Sequence, residues 1–357
     1  MKIKTLFSFA LILVALSGFS QTYVTQIKSP ETKKWGYANQ KGEIIITPQF
    51  ERCYEFGSDG LAQIYDKKLK GFYFINVKGE KLPTKFDVVK LIENTTIRMG
   101  LGIEGVVEGF NNGMAAVRTE DKWGYLDTSG KLVIPMKYDD ATIFDGGHAV
   151  ARTGNKYVVL NARGEETPVE GSGILDVNRF SEKLAPYRSA TKRFGFIDEK
   201  GKVAIEAKFH SVGFFKNGLA WAKTDDALGY INPKGEWVIE PRFDVGKEFD
   251  LQSGLARVKK GDKWGYTNRS GEITYVNDTE NWGDFSEGLA EGKKGGKRGF
   301  FNGKGKWVIE PQFESVRDFK NGFAAAKMND LWGMIDKEGK WVIKPTFAGI
   351  KDMERIK

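Results

Sequence analysis

A short phrase that recurs nine times constrains this chain more than any other feature. WGYLDTSG, from Trp123 to Gly130, returns as WGYANQKG from Trp35, FGFIDEKG from Phe194 and LGYINPKG from Leu228. It returns again as WGYTNRSG from Trp264, RGFFNGKG from Arg298 and WGMIDKEG from Trp332. Two looser copies, FYFINVKG from Phe72 and YVVLNARG from Tyr157, keep the length and the turn. The units centre on residues 36, 73, 124, 158, 195, 229, 265, 299 and 333, a spacing of 34 to 37 residues with one gap of 51. A period of that size marks a supersecondary unit that cannot bury its apolar face alone and must stack on its neighbours. Length by itself would divide 357 residues into two or three ordinary domains. The repeat replaces that division with one array.

Two further landmarks keep step. An F-x-x-G-φ-A form begins at Phe110, Phe215, Phe285 and Phe319, with variants around Gly60, Gly147, Lys183 and Gly254. A V-I-x-P-x-F form begins at Val238, Val308 and Val342, with a shortened version from Val133. Alternation in Leu255-Ala-Arg-Val and Trp264-Gly-Tyr has period two, which predicts strands. The fifth motif position is always Asp or Asn, from Asn39 to Asp336, and glycine follows three residues later, from Gly42 to Gly339. A short oxygen-bearing side chain opening a turn that glycine closes is type I turn chemistry. Proline then stops the strand after the turn, because it cannot donate to a ladder.

Each unit therefore reads as a three-stranded β-meander, about 27 strands in all. Three strands of ~6 residues leave about 16 residues of each repeat for connections. Four such strands would leave only two or three residues per connection, and propeller repeats run to ~40 residues or more. The expected fold class is all-β, with the units in an open solenoid-like or superhelical array. A closed propeller-like ring is the alternative.

With these residues in hand, the chain resembles the WG-repeat proteins of bacteria, tandem β repeats built on a Trp-Gly-Tyr-Ile-Asp-x-x-Gly-Lys core. The likeness covers about residues 33–347. It implies a binding or scaffolding role and no particular reaction. Departures fall at units two and four, where Tyr73 and Val158 replace the motif glycine, and at unit seven, where Asn277 replaces the proline.

The motif pairs Trp35-Gly36, Trp123-Gly124, Trp264-Gly265 and Trp332-Gly333 are read as structural. Phe72, Tyr157, Phe194 and Leu228 share the tryptophan position, as a packing site allows. Glycine beside it removes a Cβ where a neighbour presses close. Trp237, Trp307 and Trp341 precede the Val-Ile strand out of phase with its apolar face. They are the candidates for ligand-contacting aromatics, weighed against packing on the next repeat.

No catalytic, cofactor-binding or metal-ligating set emerges, so the expectation is a protein that is not an enzyme and carries no cofactor. Two histidines and one cysteine are too few for a multi-ligand zinc site or a disulfide framework. His148 and His210 occupy ordinary repeat slots, and Glu240 and Glu310 recur before proline as surface groups. The run Gly292-Lys-Lys-Gly-Gly-Lys-Arg lacks the terminal Lys-Ser/Thr of a phosphate loop.

Lys2 and Lys4 followed by the apolar run Thr5 to Phe19 and the small residues Gly18 and Ser20 make residues 1–20 a secretory signal peptide. The array then occupies 21–357, with no membrane span after cleavage, in the periplasm, at the cell surface or secreted. The net charge of +8 is spread through turn lysines beside acids, so nucleic acid is not the expected partner. The expected partner is a protein or peptide in the bacterial envelope, or alternatively a cell-wall glycan held on exposed aromatic faces. The long gap places an insertion at about 87–109, read as a binding-face loop or an extra hairpin.

Overall fold

A computed structural model describes residues 22–94 and 106–356. The expected signal peptide, residues 1–20, lies outside them. Among the described residues every regular element is a strand, and no helix is long and apolar enough to cross a membrane.

The repeat unit is a four-stranded antiparallel blade, not a three-stranded meander. In blade 6 the strands in order are a (Ser211–Val212), b (Ala220–Lys223), c (Leu228–Ile231) and d (Trp237–Phe243). The fourth strand fits a 34-residue period because strand a is only two residues long. A single residue, His210, joins it to the d strand that ends at Phe209. Blades 4, 7 and 9 open in the same way on Asp140–Ala141, Val245–Gly246 and Ser315–Val316. The count that favoured three strands assumed ordinary strand lengths.

The landmarks map onto this blade with physical reasons. The motif's Asx turn joins c to d. Asn232 Oδ1 accepts from the backbone N–H groups of Lys234 (2.9 Å) and Glu236 (3.1 Å), and Asp198, Asn302 and Asp336 do the same in their own units. F-x-x-G joins a to b through two left-handed residues, Asn217 (φ 56°) and Gly218 (φ 77°), the type I′ geometry that suits a tight hairpin. The motif glycine meets a bulge in strand d. A Cβ on Gly229 would sit 2.4 Å from the Ile239 carbonyl oxygen and 2.8 Å from Pro241 N. The c–d register shifts at that point. Where Val158 replaces the glycine, strand d of blade 4 pairs without a shift, so Trp-Gly and Ile-x-Pro are two halves of one contact. The first motif position faces the last aromatic of strand d: Trp35 opposite Phe50, Trp123 opposite Tyr138, Trp332 opposite Phe347.

None of the sheets closes on itself, but the chain does. The last strand, Gly349–Ile356, is strand a of the first blade, where it pairs with Thr22–Lys28 from Thr22↔Ile356 to Lys28↔Gly349. Nine blades in an open row would share eight interfaces. Nine apolar clusters fill nine interfaces here, and the ninth joins Ala325, Met334 and Ile343 of blade 9 to Ile27, Ala38 and Met353 of blade 1. The architecture is thus the propeller-like ring that stood as the alternative, and the open array is corrected. Pairing of the two ends of the described chain leaves no repeat with an uncovered face among the described residues.

Neighbouring blades are locked by one contact used repeatedly. The third motif residue packs edge-on against the landmark Phe of the next blade, as in Tyr37–Phe56 (4.7 Å), Phe196–Phe215 (4.9 Å), Tyr230–Phe249 (4.9 Å) and Phe300–Phe319 (4.7 Å). Where that residue is Tyr, its hydroxyl also donates to the next strand a: Tyr37 to Tyr54 O, Tyr125 to Thr142 O, Tyr230 to Lys247 O and Tyr266 to Gly283 O, each 2.7–2.8 Å. Burial holds the Tyr125, Tyr230 and Tyr266 hydroxyls well above their ordinary range, so they remain donors.

The insertion grows from the inner strand of blade 3. Lys90 bridges to Arg118, then Ile92–Asn94 pairs with Val106–Glu108, and the chain rejoins the repeat at Phe110. Its base is a hairpin, the second of the two readings. Its tip, residues 95–105, lies outside the described residues.

Candidate functional site

Short strands belong near the axis of a radial ring, and long ones at the rim. Strand a and the a–b turn therefore point inward. A cavity of about 400 Å³ confirms it, since four successive blades share it. Blade 6 contributes Lys216 and Asn217, blade 7 Lys247 to Leu251, blade 8 Asp284 to Glu287, and blade 9 Asp318.

One register position recurs at the inner edge, the residue immediately before the landmark Phe, whose place Met353 takes in blade 1. It is Glu248 in blade 7, Asp284 in blade 8, Asp318 in blade 9, Asp352 in blade 1 and Glu55 in blade 2, and the first three line the cavity. In blades 3 to 6 the same position holds Gly109, Ile143, Arg179 and Phe214, with Arg179 stacked on Phe214 at 4.5 Å. The inner wall is thus polarised, with an acidic arc of five consecutive blades inside a chain of net charge +8. Burial opposes the charge on Lys320 of blade 9, but its contact with Glu354 of blade 1, and then Asp352 and Glu55, raise its proton affinity.

Two of these five acids have internal partners. Arg257 Nε holds Asp284 Oδ1 at 2.8 Å, and Arg317 pairs with Asp352. Asp250 caps the next turn, accepting from Glu287 N (2.9 Å) and Gly288 N (3.0 Å), and Glu287 accepts from Gly322 N (2.9 Å) and pairs with Lys337. Such turn-to-turn clasps, with Ser286 Oγ donating to Phe319 O and Asn217 Nδ2 to Phe249 O, fix the cavity's rim. Glu248, Asp318 and Glu55 make no hydrogen bond or ion pair among the described residues, and the Asp318 carboxyl is pushed up to about 6 by desolvation first and then by Asp284 and Asp352. The side chain is nevertheless open to water. Water-accessible but flanked by protein on most sides describes a group lining a narrow lumen.

The cavity mixes charge with apolar surface. Phe249 and Phe285 are buried behind it. Leu251 is 72% exposed on an a–b turn two residues longer than that of blade 8. Lys216 and Lys247 stand at the blade 6–7 end.

The aromatics picked from sequence lie elsewhere. Trp237, Trp307 and Trp341 are half-buried at the starts of outer strands, in three different interfaces. Trp237 stands edge-on to Phe209, and Trp341 to Phe313, each at 5.5 Å on the preceding blade. Trp307 packs on Phe301 and donates through Nε1 to Asp278. They do not converge on the cavity or on one another. Trp123 is buried, while Trp35, Trp264 and Trp332 are half-buried. Cations cover three of these four motif rings: Lys28 lies over Trp35, Arg118 over Trp123 and Arg257 over Trp264. His148 pairs with Glu199, and His210 with Asp225. Asp278 and Glu280 neutralise Lys294 and Lys293 of the glycine-rich turn. The acidic arc was missed in the sequence, although aligning the residue before each landmark Phe displays it.

No curated protein matches the chain in sequence. Among solved structures, a eukaryotic initiation factor is similar over 94% of this chain and 98% of that one, with a TM-score of 0.58 at 11% identity, a likeness of fold alone. Dihydro-heme d1 dehydrogenase NirN in complex with DHE aligns over 94% of this chain and 75% of its own, with a TM-score of 0.45 at 11% identity. The WG containing repeat profile matches residues 35–66, 106–123, 123–157, 194–226, 229–264, 299–332 and 332–354, and its gaps fall at the departing units two, four and seven. Those matches span more than half of the sequence, and the chain belongs to the WG containing repeat family.

Proposed function

We propose that this protein is an exported, non-enzymatic binding module of the bacterial envelope, and that its inner cavity takes a basic segment of a protein or peptide partner. One observation carries the reading: a chain of net charge +8 gathers five carboxylates at one register position of five consecutive blades, three of them lining a cavity of about 400 Å³. A rigid ring with a preformed pocket of that size is the usual form of a recognition site. Its opposite sign to the rest of the surface steers cations inward. The exposed Leu251 and the Phe249 and Phe285 rings behind it suit the aliphatic stem of a Lys or Arg side chain. The glycan reading has less support, because Trp237, Trp307 and Trp341 are largely engaged in packing.

The test is fluorescence anisotropy of the mature chain with a labelled oligo-arginine peptide, an oligo-glutamate peptide and soluble wall fragments at physiological salt. The expected result is selective binding of the basic peptide, with a photo-crosslinker on it labelling residues 247–251 or 284–287. Equal binding of the acidic peptide, or crosslinks confined to the outer strands, would overturn the reading. Export has its own check. N-terminal mass spectrometry of the envelope fraction should find Gln21 first, and an intact Met1 there would contradict it.

A further inference from the structure

The antiparallel meander sorts the connections onto two faces of the ring. The a–b and c–d turns share the face on which the cavity opens, and the b–c turns share the other with the links that lead into strand a. Contacts join those links to the b–c turns: Asp244 accepts from Gly261 N at 2.6 Å, and Glu51 stands 3.7 Å from Lys67. Eight of the nine b–c turns hold no Leu, Ile, Val, Met or aromatic residue. Blade 2 is the ninth. There Lys67-Lys68-Leu69-Lys70 joins Leu61–Asp66 to Gly71–Asn76 and leaves Leu69 53% exposed. A single exposed leucine is ordinary on a protein surface, but this one tops a firmly held turn. Asp66 Oδ1 accepts from Lys68 N and Leu69 N at 2.9 Å each, Lys70 is left-handed (φ 51°), and Lys90 Nζ donates to Lys70 O.

Cations surround the tip. Lys67, Lys68 and Lys70 are all exposed beside Leu69, and Lys68 and Lys70 have no ion pair among the described residues. The b–c turn of blade 1, next in the ring, adds Lys33 and Lys34, exposed and likewise without an ion pair among the described residues. Beside it Lys28 and Lys351 lie over the Trp35 ring at 5.5 and 6.0 Å. Against these cations the two turns, the link between them and the end of the Leu61–Asp66 strand carry Glu31, Glu51 and Asp66, the last already engaged by the backbone. A convex apolar tip among ammonium groups offers a protein partner no pocket to fill. An anionic bilayer supplies both what the leucine lacks, apolar depth, and what the lysines lack, counter-charge. We propose that this face docks on an anionic phospholipid surface, with Leu69 entering the headgroup–acyl boundary and the lysines of blades 1 and 2 meeting lipid phosphates. The docking is independent of the cavity reading, and it turns the cavity's mouth away from the lipid. One leucine and a handful of lysines give reversible association that weakens as salt rises.

The experiment is co-sedimentation of the mature chain with vesicles of phosphatidylcholine alone or with a third phosphatidylglycerol. Wild type should bind the phosphatidylglycerol vesicles and leave the neutral ones. Lys67→Glu with Lys68→Glu should lower that binding by at least about tenfold, since each lysine near an anionic surface contributes about 1 kcal/mol. Leu69→Ser should lower it several-fold. The control, Lys304→Glu with Lys306→Glu, makes the same charge change in an exposed c–d turn on the opposite face and should bind as wild type does. All four lysines and Leu69 are exposed, and thermal melts matching wild type show that the variants are folded. A polarity-sensitive dye on Leu69→Cys, with Cys53 buried, should shift to the blue only on the phosphatidylglycerol vesicles. No vesicle binding by wild type, an equal loss in the control, or no dye shift would overturn the inference. Binding of an oligo-glutamate peptide at the turn without binding of vesicles would assign the face to an acidic polypeptide and overturn it too. Each of these results leaves the cavity reading, tested with the oligo-arginine peptide, where it stands.

Discussion

Gly229→Ala is a one-methyl test of how Trp-Gly and Ile-x-Pro fit together. Gly229 has no positive φ, so an alanine there incurs no left-handed strain. The conflict is steric. The new Cβ would lie 2.4 Å from Ile239 O, 2.8 Å from Pro241 N and 3.0 Å from the Glu240 carbonyl carbon, all backbone atoms that cannot rotate away. Relief requires strand d to move by most of an ångström at its bulge, disturbing Phe243 opposite Leu228 and the Ile239 packing in the next interface. Overpacking of this kind costs ~1–3 kcal/mol. The lower unfolded-state entropy of alanine returns at most ~1 kcal/mol. A net loss of about 2 kcal/mol is expected by urea denaturation, and a similar loss for Gly299→Ala, whose Cβ would meet Ile309 O at 2.3 Å. Val158→Gly in the unshifted blade 4 should gain nothing and lose about 1 kcal/mol from a weakened strand. Stability within 0.5 kcal/mol of wild type for Gly229→Ala would refute the close-approach account.

Trp237→Ala and Trp341→Ala should each destabilise the ring by at least ~2 kcal/mol, through a cavity and a lost edge-on contact at 5.5 Å; losses below ~0.5 kcal/mol would restore them as solvent-facing platforms. The Cys53 thiol is 7% exposed and pushed up to about 11 by burial, so it should resist a thiol reagent in native buffer and react once per chain in denaturant; fast native labelling would contradict the packing. For Asp318 the folded value of about 6 exceeds the ordinary 3.8, so the protonated form favours the fold. Its contribution is fully present below about 3.8, and is lost as pH rises through about 6. The upper bound is roughly 3 kcal/mol, reduced to about 1 kcal/mol because the group is open to water. Asp318→Asn should therefore stabilise the protein at pH 7.5 relative to wild type, and by less at pH 4.5, in paired thermal melts. A pH-independent difference would show that the carboxylate carries no such penalty.

Local features were legible in the sequence because local chemistry sets them. The turn opened by Asn232 and closed by Gly235 (φ 78°) is written in the motif, and so is the close approach at Gly229. Blades 2, 4 and 7, singled out by Tyr73, Val158 and Asn277, are the units whose outer strands are missing, short or truncated among the described residues. Strand a was not legible. Two residues such as Ser315–Val316 show no periodicity, and they become a strand only because the F-x-x-G hairpin brings Ala326 and Lys327 alongside. Closure was illegible for a related reason, since it pairs Thr22 with Ile356 across nearly the whole chain and no local pattern encodes that distance. The site was hidden by the same omission: Asp284, Asp318 and Asp352 read as scattered surface acids until strand a places them at one radius.

Closure underlies the inner cavity, its acidic arc and the absence of a terminal repeat, and one crosslink tests it most directly. Thr22 and Ile356 are registered partners in the antiparallel pair that joins the two ends of the described chain. Such partners have Cα atoms ~4.5–5.5 Å apart, within the span a disulfide bridges. Thr22→Cys with Ile356→Cys, in a Cys53→Ser background, should oxidise to an intramolecular disulfide at micromolar protein, giving a faster-migrating monomer on a non-reducing denaturing gel. An open array would leave the two thiols apart, so free thiols or disulfide-linked dimers, with no such monomer, would contradict the ring.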